Sequence, residues 1–277
     1  MAVNTGAHLS ERPLTAEENT GRFYHLVKSY NNFDKLEILG IIQSLLSITN
    51  EEICFIETYF RARGNIETIL EIKHAKHFQA AAMLARSVFE LAVDIRMLEV
   101  IPNGWTKMLV FSDVERLRSA RKVVAFKETH PDADIDLTTY RPFIAENEQR
   151  IDALRKNVWP RPADRYHWTG LRFADRVSQL GPPMDRIYQL DYPRLSWYVH
   201  SGLTGVRNLK SEAFVHLCAH AFSLAADSYR EILERIIRKF KIDKAIPRID
   251  FKLFAAKAFP FNDDPEVEDW LTRSIQD

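Results

Sequence analysis

Glycine is scarce in this chain: nine residues in 277, about 3% against a usual ~7%. Neither GxGxxG nor GxxxxGK[ST] occurs, so nucleotide binding by a glycine-rich phosphate cradle is excluded. HExxH, GxSxG and the EF-hand pattern are missing too, which removes the commonest metalloprotease, esterase and calcium-site signatures. Only two cysteines are present, Cys54 and Cys218, far apart and outside any CxxC pair. They read as reduced, buried thiols of a cytoplasmic protein rather than as a disulfide framework. Charge of one sign is also missing, since 38 Lys and Arg face 38 Asp and Glu. A protein that coats nucleic acid through bulk positive field is thereby excluded, although a local basic site is not. No stretch approaches the roughly 18 uninterrupted apolar residues of a membrane span. Met1 to Ser10 carry neither a basic segment nor an apolar run, so no secretory signal is expected.

What is present is an ordinary globular composition, 46% hydrophobic and 27% charged. A chain of this length buries roughly three quarters of its unfolded surface. Apolar residues recur at three- and four-residue spacing, predicting helices over Phe33–Ile48, Asn50–Arg61, Ile66–Val100, Trp105–Lys127, Phe143–Lys156 and Ser211–Phe240. Gly64, Pro102-Asn103-Gly104 and Gly181-Pro182-Pro183 are the expected breaks. No strand series and no solenoid repeat is found. The expected fold is all-α: a multi-helix bundle domain over 19–244 with long central helices. A mobile segment is expected over 1–18, and a short C-terminal appendage over 245–277, where Pro247, Pro260 and Pro265 mix with aromatics.

Three polar constellations stand out. Within the apolar run Ala80–Asp94, Arg86, Glu90 and Asp94 fall at i, i+4 and i+8 and form one polar stripe. Charges taken out of water need partners, so the stripe is either an ion-pair network fixing helix register or the wall of a polar pocket. In Asp191–Gly202, Pro193 suits the start of a short helix and Gly202 its end. Arg194 then sits where the helix dipole disfavours a cation, which calls for an anionic partner, either a carboxylate such as Asp191 or Asp185 or a phosphate. His200 near the last turn has its protonated form favoured, which suits acid/base work. Six positions separate the two, about 120° on a regular helix, so a joint site needs a local break or a second subunit. Finally, His216 and His220 stand at i, i+4 with Asp227 beyond, a spacing that can share a metal, and Glu71/His74 supply a single ExxH. The second ExxH that a di-iron bundle needs is missing, so no metal or other cofactor is expected. Cys218 lies between the two histidines, but neighbours two apart point to different sides of a helix, which disfavours a thiol–imidazole pair.

The stretch 150–176 carries seven Arg and Lys against three Asp, net +4, with Trp159, Tyr166, His167, Trp168 and Phe173 interleaved. Arg161, Arg165, Trp168 and Arg172 are its candidate nucleic-acid-binding residues, because guanidinium groups suit phosphates and flat rings suit bases. The plainer alternative is a solvated face with aromatic anchors in the core.

The segments Arg86-Ser87-Val88-Phe89-Glu90, Trp168-Thr169-Gly170 and Leu195-Ser196 with His200 together resemble a bacterial all-helical family of unknown function. Its marks are R-S-x-x-E, W-[ST]-G and L-S-x-x-x-H. The likeness spans about residues 60–235 and implies a helical bundle without implying an activity. A looser likeness is to the HEPN superfamily of helical ribonucleases, marked by Arg, four to six residues, then His; Arg194 and His200 fit that length, with Leu195 where a polar residue usually follows the Arg. This resemblance implies metal-independent RNA cleavage by a homodimer. His200 would act as base towards a ribose 2′-hydroxyl and Arg194 would offset the phosphorane charge. Two functions are therefore expected to compete: a phosphate- or RNA-directed enzyme, and a non-enzymatic interaction or sensor module whose polar residues hold its core.

Overall fold

The structure, a computed structural model, describes residues 15–160, 167–199 and 211–247. Among the described residues there are helices and turns but no strand. These are α1 (Ala16–Phe33), a π-helical turn (Asp34–Ile38), α2 (Leu39–Gln43), α3 (Asn50–Leu70), α4 (Phe78–Val100), α5 (Gly104–Thr129), α6 (Tyr140–Val158), α7 (Phe173–Leu180), α8 (Met184–Leu190), α9 (Tyr192–Val199) and α10 (Ser211–Lys239). The all-α expectation holds. No described helix is long and apolar enough to cross a membrane.

Several boundaries differ from the sequence expectation, each for a local reason. Residues 16–18 are helical, because Thr15 and Glu18 form a capping box: the Glu18 amide donates to the Thr15 hydroxyl at 3.2 Å, and the Thr15 amide to the Glu18 carboxylate at 2.8 Å. Thr49 and Glu52 repeat the device at α3, with 3.2 and 2.7 Å. Gly64 does not break the chain; it sits inside α3, where nothing lies within 4 Å of an added Cβ. The break falls instead at 71–77, where no Gly or Pro marks it. The last amides turn back through i→i−3 bonds (Glu71 to Thr68, Ile72 to Ile69), and a 3-10 turn then leads into α4. At Phe33 the predicted helix is already under way, and the helical winding ends at Gln43 rather than Ile48.

Contacts divide the chain into two units. The first combines residues up to 44, 61–92 and from 189 on; the second combines 45–60 and 93–188. In the first, α1 packs along α10: Tyr24 meets Phe222 edge to face with centroids 5.5 Å apart, and the Thr20 hydroxyl donates to the Val215 carbonyl at 2.9 Å. Val27, Ala221, Ala225, Ile232 and Ile236 are sealed from solvent there. In the second, α5 and α6 pair around Val110, Val114, Leu117, Ile151 and Trp159. Arg121 bridges Glu148 and Asp152 on the outside of that pair.

Candidate functional site

α4 is apolar on nearly every side, and Ala81, Ala85, Val88, Phe89, Ala92, Ile95 and Met97 are fully buried. Its polar stripe does not act as one network. Arg86 and Glu90 engage one partner in the first unit, and Asp94 engages others in the second.

In the first unit, the Tyr192 hydroxyl donates to Glu90 Oε1 at 2.7 Å and accepts from Arg86 Nη2 at 2.8 Å. The Arg86 guanidinium also lies over the Tyr192 ring, 4.7 Å from its centroid, and Phe89 leans on the same ring at 5.7 Å. Arg86 and Glu90 are themselves 3.6 Å apart. Burial, with Glu90 as hydrogen-bond acceptor, pushes the Tyr192 phenol up to about 12. Tyr192 is the first residue of α9, so this clamp fixes where α9 begins.

In the second unit, Arg176 Nη1 donates to Asp94 Oδ1 at 2.5 Å, and His167 Nε2 lies 3.2 Å from Asp94 Oδ2. The Thr169 amide donates to His167 Nδ1 at 3.4 Å, and Nε2 lies between Asp94 Oδ2 at 3.2 Å and Arg176 Nη1 at 3.1 Å. Both ring nitrogens are thus engaged, which leaves His167 with neither a free base nor a free acid position. The segment that delivers it is a tight turn, in which the Gly170 amide returns to the His167 carbonyl at 2.8 Å with Gly170 at φ +76°. Trp168 plugs this turn into the core, its ring 3.3 Å from where a Cβ on Gly104 would sit, so a side chain there would press on the indole.

That placement corrects one expectation: Trp168 is 2% exposed, and its face is not open to a nucleobase. Arg172 is exposed at the start of α7, and Arg161 and Arg165 lie outside the described residues. Arg194 is exposed in the first turn of α9 and, among the described residues, has neither an ion-pair nor a hydrogen-bond partner; the candidate carboxylates Asp191 and Asp185 do not bond it. His200 lies outside the described residues, so its convergence with Arg194 does too. Arg194 acts electrostatically on His220 of α10. Burial and the charge of Arg194 together push the His220 pKa down, with Asp191 opposing and His216 adding to the effect. His216 is exposed and His220 half-buried.

The metal half-motifs stay half-motifs. His74 Nδ1 accepts from the Lys76 amide at 3.0 Å and serves as the cap of the 3-10 turn. Among the described residues no group of three His, Cys, Asp or Glu is placed to hold a metal ion. The thiols are internal: Cys54 faces the Trp105 carbonyl and Cys218 the Ala75 carbonyl, and burial pushes them up to about 11 and about 12.

Sequence reasoning missed Tyr192, His167 and Arg176 as partners of the stripe. The available signal for Tyr192 was its place just before Pro193, and for His167 its place before Trp-Thr-Gly. Nothing local marks Arg176.

These features define an all-helical protein in which, among the described residues, the charges of the α4 stripe are paired from within and Arg194 is exposed near a half-buried imidazole. The chain belongs to a family of unknown function, DUF5677, whose model matches residues 52–213. That span holds α4 through α9, all of α3 but its first two residues, and each of the three motifs named from the sequence. No curated protein and no solved structure matches the chain.

Proposed function

We propose that this protein binds a phosphate-bearing ligand, with RNA as the ligand class, at Arg194 and the His216/His220 face of α10. The observation that carries this reading is that Arg194 is exposed without a partner among the described residues. A guanidinium at the start of a helix is disfavoured by the dipole unless an anion joins it. The finer version is metal-independent cleavage, in which His200 takes the 2′-hydroxyl proton and Arg194 offsets charge at phosphorus, with two subunits sharing a cleft.

The test is fluorescence anisotropy with labelled mixed-sequence RNA in EDTA. Arg194→Ala is expected to weaken binding about tenfold, the loss of one charge-assisted hydrogen bond. Absent binding, or equal binding by both proteins, overturns the reading. Cleavage is scored beside an Arg194→Ala/His200→Ala variant, and no cleavage, or cleavage by both, removes the nuclease version alone.

A second reading has its own observation. The Arg86–Tyr192–Glu90 and Asp94–His167–Arg176 clusters are closed from within, as expected of a non-enzymatic interaction or sensor module in which polar residues hold the core. It predicts that His200→Ala lowers the melting temperature by about 3–6 °C without altering RNA binding.

A further inference from the structure

Among the described residues the first unit leaves an apolar face uncovered, close to where they end at Pro247. The π-helical turn Asp34–Ile38 closes with the Leu39 amide on the Asp34 carbonyl, five residues back. Residues five apart therefore come onto one side, and Leu36 and Ile41 are 81% and 40% exposed, with exposed Gly40 between them. The inner side of the same turn is firmly held: Ile38 is sealed, and buried Asp34 lies 3.4 Å from Arg63. The exposed apolar side is thus presented on a well-anchored support.

The far end of the chain is tied to this turn. Lys244 Nζ pairs with Glu37 Oε2 at 2.6 Å, and Ile242 just before it is buried. The described chain ends at Pro247, three residues further on. Beyond it the sequence reads Phe251-Lys252-Leu253-Phe254-Ala255-Ala256-Lys257-Ala258-Phe259-Pro260-Phe261, with five large apolar side chains and only two charges. Phe251 is seven positions on from Lys244, at most about 25 Å away. The segment therefore starts within reach of Leu36, the neighbour of Glu37, and tethering makes its effective concentration there far higher than that of any free partner. Apolar surface of this kind gains from being taken out of water.

We infer that this chain's own segment Phe251–Phe261 docks on the Leu36–Gly40–Ile41 face, with the Lys244–Glu37 ion pair as its hinge point. The inference stands apart from the anion site at Arg194.

Hydrogen–deuterium exchange of the full chain tests it. Amides of 251–261 are expected to exchange about tenfold more slowly than an unprotected chain of that sequence. Leu36→Asp/Ile41→Asp changes only exposed side chains, and is expected to remove that protection while leaving peptides from α10 unaltered. Phe251→Ser/Phe254→Ser should do the same from the other side. A segment unprotected in the parent chain, or equally protected in the Leu36→Asp/Ile41→Asp variant, overturns the inference. So does protection that fades on dilution, which assigns the face to a second copy. Protection gained only with phosphatidylserine vesicles overturns it too, since the segment then seeks a lipid surface.

Discussion

The two polar clusters differ in what separates their charges. In the first unit a neutral hydroxyl bridges Arg86 and Glu90, whose charged ends also lie 3.6 Å apart, and the Glu90 side chain is 44% exposed. In the second, Asp94 touches Arg176 directly, with the two side chains only 14% and 9% exposed. Water can therefore take over much of what Tyr192 does, but little of what Arg176 does. A pair removed from solvent contributes modestly as a pair yet costs heavily when halved, because the remaining charge has no solvent to fall back on. The clusters look alike in sequence and should behave unlike each other under mutation.

The largest expected effect is Arg176→Ala, which leaves the Asp94 carboxylate with His167 alone and should lower unfolding free energy by about 3 kcal/mol in urea denaturation. Cys54 lies in the same unit and reports on it: its thiol should react with a disulfide reagent sooner in this variant, while Cys218 in the other unit stays protected. Equal gains at both thiols would show that the units do not open separately. Next comes Tyr192→Phe, which keeps the ring over Arg86 and removes only the hydroxyl; about 1 kcal/mol is expected, discounted for the exposure of Glu90. A loss as large as that of Arg176→Ala would end the contrast.

The same tyrosine gives a pH signature. Its phenol is raised to about 12 from an ordinary value near 10, so the folded chain holds the proton more tightly than the unfolded chain does. That contribution is complete below pH ~10 and is lost as pH rises towards 12. Wild type should therefore lose stability across that window more steeply than Tyr192→Phe, as read by denaturation at stepped pH. The smallest effect has the opposite sign: Gly64→Ala, in a helix interior with open space around it, should raise stability by about 0.5–1 kcal/mol.

Spacing alone revealed the helical class, and α10 agrees with its expected span to within one residue at its end. The strong apolar periodicity of that helix explains why. Gly64 misled because a glycine in an exposed position weakens a helix without stopping it. The start of α1 was readable in principle, since Thr15 and Glu18 stand at the spacing of a capping box. The stripe on α4 was visible as a stripe, yet its division was not, because Tyr192 and Arg176 lie 102 and 82 residues away from the carboxylates they engage. Periodicity describes one helix at a time, whereas ion pairs are decided by which helices meet.

The wide turn at Asp34–Ile38 constrains this protein's tolerance of change in an uneven way. Adding or dropping one residue in a helix rotates everything after it by about 100°, which here would swing Ile38 and Ile42 away from the interior they now fill. Replacing a side chain at Leu36 rotates nothing. Natural drift in this stretch should therefore show variable letters at fixed length, the reverse of what a surface loop such as 130–139 would permit.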